Sequence, residues 1–227
     1  MNLKEIAGNR AAEYITDGMV VGLGTGSTAE FAIKAIGARV AAGLRITAIS
    51  TSEASTQLAE SLGIEILSLE DEPVVDLTID GADEVDPEFN LVKGLGGALL
   101  REKIVASAST REIIIIDPST LVDKLGTKAP LPVEVVPFAG PLVQRRLMDQ
   151  HLRAALRRNA DGNEPYVTDN GNFILDCHFP QGIAAAAETE RQINDIPGVI
   201  ENGLFVDLTD IVVIGQEDGN CRILEKS

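Results

Sequence analysis

A mostly parallel β-sheet with helices on both faces, plus a smaller α+β domain inserted late in the chain, is the architecture this sequence predicts. Three observations predict it. Short β-branched runs alternate with helix-period segments over the first two thirds of the chain. One run, EIIIID (112–117), is apolar almost without interruption, as a strand buried on both faces must be. Prolines at 130, 132, 137 and 141 mark the point where the pattern changes.

The elements follow in order. MVVGL (19–23) is the first strand, and a glycine turn leads from it into the helix TAEFAIKAIG (28–37). ITAIS (46–50), IEILSL (64–69) and VVDLTID (74–80) are further strands, with helices at SEASTQLAESLG (52–63) and GALLREKIVASA (97–108). Gly37 and Gly63 sit where C′ glycines would stop two of these helices. From LPVEVVP (131–137) the pattern predicts a short strand, then a helix around PLVQRRLMDQHL (141–152). A hairpin over YVTDNGNFILDCHF (166–179) follows, turning at Asn170-Gly171, residues that tolerate positive φ. After a helix through IAAAAETERQI (183–193), the strand IVVIG (211–215) returns to the main sheet. The expected division is therefore a Rossmann-like domain of 1–130 and 204–227 and a small α+β, ferredoxin-like domain of 131–203.

At 227 residues, with 44% hydrophobic and 24% charged residues, the chain has ordinary globular composition. A formal charge of −16 argues against nucleic acid and anionic membrane as partners, because such a field repels polyphosphates. An anionic ligand must be captured by local donors. No apolar stretch approaches bilayer length and MNLKEIAGNR lacks a signal-peptide core, so a cytoplasmic location is expected. Cys177 and Cys221 have no metal-knuckle spacing and read as small apolar residues. His151 and His178 read as structural or surface histidines. The arginines at 145, 146, 153, 157 and 158 read as a solvated face or a subunit contact.

Two clusters carry chemistry. In GLGTGSTAEF (22–31), backbone N–H groups and a helix dipole converge on a spot that suits a phosphate. Gly24, Gly26 and Ala29 formally satisfy a dinucleotide fingerprint, yet the second strand ends in Ser50-Thr51-Ser52 without the acid that ribose hydroxyls require. A small phosphate ester fits better, and Ser27 and Thr28 could alternatively serve as helix caps. The second cluster is Asp80 and Asp83 at a strand end, then Lys93, the loop Gly94, Gly96 and Gly97, and Glu102 on the following helix. In an open parallel sheet both clusters are expected in one crevice beyond the strand ends. A carboxylate base, a cation and backbone donors are what proton abstraction beside a carbonyl needs. The plainer alternative is a loop of solvated acids, with Glu102 and Lys103 on a helix surface.

GTGST (24–28), DGADEVD (80–86), KGLGGALLREKI (93–104), LPVEVVPF (131–138) and VTDNGNFILD (167–176) together resemble the type A ribose-5-phosphate isomerase family, in its order and spacing. The resemblance implies cofactor-independent, metal-independent exchange of ribose 5-phosphate with ribulose 5-phosphate, in the pentose phosphate pathway and, in photosynthetic cells, the Calvin cycle. It implies Glu102 as general base, Lys93 and Asp80 in ring opening and oxygen polarisation, and Asp83 as a hydrogen-bond partner near O1 and O2. It carries substrate contacts to Thr25, Gly26, Ser27 and Thr28, to Gly81 and Ala82, to Gly94, Leu95 and Gly96, and to Lys4 at the phosphate. A homodimer or homotetramer is implied. Two positions depart from the family. Ser119-Thr120 replaces a common Ser-Lys pair, for which Lys124 is the expected substitute if its segment is helical, and Leu95 stands where many relatives have glycine.

Other readings are a coenzyme A transferase using Glu102 as nucleophile and a sugar-phosphate sensor. The sensor lacks room for a helix-turn-helix in the 18 residues before the first strand. A carboxylate metal site of Asp80, Asp83 and Glu84 is a further alternative.

Overall fold

The computed structural model describes residues 2–150 and 152–226. His151 lies outside them. The elements, in chain order, are α1 (Leu3–Ala12), β1 (Val20–Leu23), α2 (Ala29–Ala41), β2 (Thr47–Ser50), α3 (Glu53–Ser61), β3 (Glu65–Ile66), β4 (Leu77–Gly81), β5 (Glu84–Val85), β6 (Leu91–Val92), α4 (Leu99–Ser107) and β7 (Glu112–Ile116). After a 3₁₀ turn at Pro118–Thr120 come β8 (Leu131–Val135), α5 (Gly140–Asp149), β9 (Arg153–Leu156), β10 (Phe173–His178), α6 (Ala186–Asn194), β11 (Val199–Asn202), β12 (Leu204–Phe205), β13 (Ile211–Gly215) and β14 (Cys221–Glu225). The chain divides into two compact units, one of residues 1–82, 101–121 and 207–227, the other of 83–100 and 122–206.

The first unit is built on a seven-stranded sheet in the order β14-β13-β7-β4-β1-β2-β3, parallel except for the β13–β14 hairpin. The isoleucine run of β7 takes the expected place inside the sheet, paired with β4 on one side and β13 on the other. Ile113 to Ile116 are at most 1% exposed, and each such burial is worth about 1.5–3 kcal/mol. The strand 211–215 joins the same sheet, as the sequence predicts. Side-chain caps start two of the helices: Asn2 accepts from the Lys4 N–H and Ser52 from the Ser55 N–H, each at 3.1 Å. Gly63, with φ of +76°, follows α3 as expected.

Gly37 does not behave as a cap. It is buried within α2, which continues to Ala41, and a Cβ at Gly37 would stand 2.7 Å from the Leu62 Cβ. Close packing on the end of α3, not termination, explains this glycine.

The second unit carries two antiparallel sheets, β11-β8-β10-β9 and β12-β6-β5. The core of Leu131, Val133, Val135, Val143, Leu147 and Leu175 joins the first sheet to α5. The hairpin expected over 166–179 forms only in part. A tight turn closes between Thr168 and Asn172, but β10 pairs with Arg153–Leu156 and with β8, not with residues 166–169. The reason is Glu134, fully buried on β8: its Oε1 accepts from Thr168 Oγ1 and Asn172 Nδ2, both at 2.9 Å, so the turn folds around a carboxylate. Both cysteines are free, and burial pushes the Cys177 thiol up to about 12.

Candidate active site

The first unit presents the glycine turn. β1 ends at Leu23, and Gly24 follows so close to β4 that a Cβ there would lie 2.1 Å from Asp80 Oδ1. The absent side chain allows the turn to rest on that carboxylate. Asp80, 1% exposed, accepts the N–H groups of Thr25 at 3.1 Å and Gly81 at 2.7 Å through Oδ1. The Thr25 hydroxyl meets Thr51 Oγ1 at 2.7 Å and Ser52 Oγ at 2.8 Å. Those two residues, remarkable in the sequence only for the acid they lack, are the buttress of the turn. Gly26 and Ser27 are exposed, and Thr28 holds the N-cap position of α2 without a side-chain cap bond. Ser27 instead accepts from Lys4 Nζ at 3.1 Å, which ties α1 to the turn. Lys4, Asn2, Leu3 and Asp117 line an open hollow of about 540 Å³.

α4 carries Glu102 and Lys103 at 4% and 8% exposure, so the solvated-surface alternative fails for both. Leu99, Glu102, Lys103 and Ala106 form one buried helical stripe with two charges on it. Gly81 closes β4 and Ala82 follows it, half-buried; Thr120 ends the 3₁₀ turn.

In the second unit, β5 and β6 pair with Glu84 opposite Val92, which brings Asp83 and Lys93 to the same end of that hairpin. The Asp83 N–H donates to Val92 O at 2.8 Å and the Lys93 N–H to Gly203 O at 2.9 Å. Lys93 is 2% exposed, with its ammonium 5.4 Å from the centroid of the Phe205 ring. The loop after it is a β-turn in which the Gly97 N–H donates to Gly94 O at 3.0 Å. Gly94 and Gly97 take φ of +101° and +85°, whereas Leu95 and Gly96 do not need positive φ. Leu95 therefore replaces glycine without strain, its side chain 46% exposed and its N–H donating to Asp83 Oδ2 at 3.0 Å.

Glu84 takes a structural part. Its buried carboxylate accepts the N–H groups of Gly126, Lys128 and Ala129 and fixes the loop that leads into β8. Among the described residues, no group of three His, Cys, Asp or Glu side chains could hold a metal ion. Lys124 is not on a helix, since the helical turn ends at Thr120; its Nζ donates to Gln181 O at 2.6 Å. Arg145, Arg146, Arg153 and Arg158 are exposed as expected, but Arg157 is not. Its side chain is 12% exposed and bound to Asp176 and to the Gly94 loop, a role the sequence signalled only by the crowding of arginines in an acidic chain.

A parallel sheet whose first strand feeds a glycine turn into a helix, with the buried Asp80 on the neighbouring strand, defines the class as a Rossmann-like α/β fold. The profile of the family Ribose 5-phosphate isomerase A (phosphoriboisomerase A) matches residues 47–219. Ribose-5-phosphate isomerase A of Listeria monocytogenes is 47% identical over the whole of both chains, and that of Gloeobacter violaceus 51% identical over 96% of this chain and 94% of its own. The solved ribose 5-phosphate isomerase A of Methanocaldococcus jannaschii superposes with a TM-score of 0.94 at 39% identity, over 99% of this chain and 98% of its own. A D-ribose-5-phosphate isomerase in complex with phospho-erythronic acid gives 0.95 at 42% identity over the whole of both chains. The chain belongs to the ribose 5-phosphate isomerase A family.

Proposed function

We propose that this chain performs its family's reaction through Glu102, Asp80, Asp83 and Lys93. As a family member it is an aldose-ketose isomerase of the pentose phosphate pathway that interconverts ribose 5-phosphate and ribulose 5-phosphate. The observation that carries the residue assignment is Glu102, a carboxylate buried together with Lys103 on the inward stripe of α4. Burying a carboxylate costs stability, and such costs concentrate at functional sites.

On this assignment Lys93 and Asp80 assist opening of the furanose ring. Glu102 takes the proton from C2 of the open-chain aldose to leave the enediolate, a proton passes from O2 to O1, and the proton held by Glu102 is delivered to C1 to give the ketose. Lys93, with N–H donors of Gly94, Leu95 and Gly96, offsets the charge growing on the enediolate oxygens, and Asp83 hydrogen-bonds near O1 and O2. The phosphate lies against Thr25, Gly26, Ser27, Thr28 and Lys4, local donors that an acidic chain needs to hold an anion. Gly81, Ala82 and Thr120 complete the substrate contacts, and no cofactor or metal takes part. Phospho-erythronic acid, bound in the similar isomerase, is a phosphorylated sugar acid of the size this scheme requires.

Purified protein given ribose 5-phosphate alone should form ketose, followed by absorbance, at a rate that EDTA leaves unchanged. Absence of conversion, or a requirement for metal or coenzyme A, would contradict the proposal. Lys124 does not meet the condition for replacing the family's missing lysine, because it is not helical and its Nζ is held by Gln181 O, so Lys124→Ala should leave KM for ribose 5-phosphate unchanged. A raised KM would return it to the site. A cytoplasmic homodimer or homotetramer completes the proposal. Phe138, 98% exposed, and Leu142 and Met148, at least half exposed, are apolar surface that subunit association would cover. Light scattering of the purified protein reads the mass directly.

A further inference from the structure

Arg157 follows β9, its N–H donating to Ile174 O at 2.8 Å, and Asp176 stands on β10 as its diagonal cross-strand neighbour. The guanidinium grips Asp176 through two bonds, Nε to Oδ2 at 3.0 Å and Nη2 to Oδ1 at 2.5 Å. The remaining nitrogen, Nη1, donates to two backbone carbonyls, Gly94 at 2.9 Å and Leu95 at 3.1 Å. Tyr166 adds a third contact to the same loop, its hydroxyl 3.4 Å from Gly96 O, while Arg157 stacks 5.9 Å from its ring centroid. A Cβ at Gly97 would lie 2.2 Å from that hydroxyl, so the loop and the tyrosine are in close contact. Burial pushes the Tyr166 hydroxyl above its ordinary value, and it stays a donor at working pH.

The planarity of the peptide bond converts those contacts into a direction. In a trans peptide the C=O and the N–H of the next residue point opposite ways. Holding the Gly94 and Leu95 carbonyls toward Arg157 therefore turns the N–H groups of Leu95 and Gly96 away from it. The Leu95 N–H is the one that reaches Asp83 Oδ2.

We propose that Arg157, locked by Asp176, is a positioning residue for isomerisation: it fixes the peptide planes of the 94–96 loop so that their N–H groups orient Asp83 and face the developing enediolate. This inference rests on the activity proposed above. Arg157 touches no reacting atom, and its effect should fall on transition-state stabilisation more than on substrate capture.

The test compares Arg157→Met, Arg157→Lys and Arg157→Ala with wild type in ribose 5-phosphate turnover, with thermal unfolding of each variant alongside. Arg157→Met should lose about tenfold to a hundredfold in kcat, the scale of a small misplacement of catalytic groups, while KM changes less than kcat does. Lysine, which can reach a carbonyl but cannot hold both carbonyls and Asp176, should recover part of the rate. Guanidinium at sub-denaturing concentration should restore part of the rate of Arg157→Ala. Arg153→Met, at an exposed position that opens β9, should turn over as wild type does. The inference is overturned if Arg157→Met keeps kcat within about twofold of wild type, or if guanidinium restores none of the lost rate. Failure of the wild type to turn over ribose 5-phosphate would instead strike at the activity itself.

Discussion

On the proposed assignment Asp80 serves two ends with one carboxylate, and they can be separated. Its Oδ1 holds two backbone N–H groups at the glycine turn, and its charge is assigned to the chemistry. Asparagine retains the oxygen and loses the charge. Asp80→Asn should therefore unfold at nearly the wild-type temperature while losing most of its turnover. Asp80→Ala strands both N–H groups in a buried place and should cost about 1–3 kcal/mol of stability as well. Equal destabilisation of the two variants, measured by urea unfolding, would show that the turn does not depend on that acceptor. Leu95 makes the complementary point: a family glycine becomes leucine without harm because positive φ is needed at Gly94 and Gly97, on either side of the two central loop residues.

At the scale of elements, periodicity carried most of the information. The isoleucines of β7, the returning strand 211–215 and the helical stripe of α4 were all legible, because each is set by local pattern against one core. Pattern alone left Glu102 either a site residue or, with Lys103, helix surface, and it is their burial that removes the surface reading. Pairing between distant segments was not. Nothing near Asn170-Gly171 reveals that its turn will fold around Glu134, 36 positions away, or that Phe173–His178 will pair with Arg153–Leu156. Arg157 meets Asp176 and the 94–95 carbonyls only through that pairing. Gly37 was misread for a related reason, since a glycine beside a helix end and a glycine under a crossing helix look alike until the crossing is known. The crossing decides the sign of Gly37→Ala. Alanine gains up to about 1 kcal/mol in helix propensity but overpacks Leu62 by about 1–3 kcal/mol, so a lower urea midpoint is expected. A higher midpoint would mean that α2 and α3 part at little cost.

For the whole molecule, the acidic balance and the anionic substrate pull in opposite directions. A chain at −16 must gather a sugar phosphate through a few placed donors, and the turn at 24–28, Lys4 and Lys93 are the donors proposed above. Family membership fixes the reaction; the part of the buried acids and the glycine loop in it is the proposal. The account depends most on Glu102 as the group that moves the proton. Glu102→Gln preserves size and hydrogen bonding and removes only the base, so ribose 5-phosphate turnover should fall by about three orders of magnitude in a protein that still folds. Turnover near that of the wild type would contradict the mechanism.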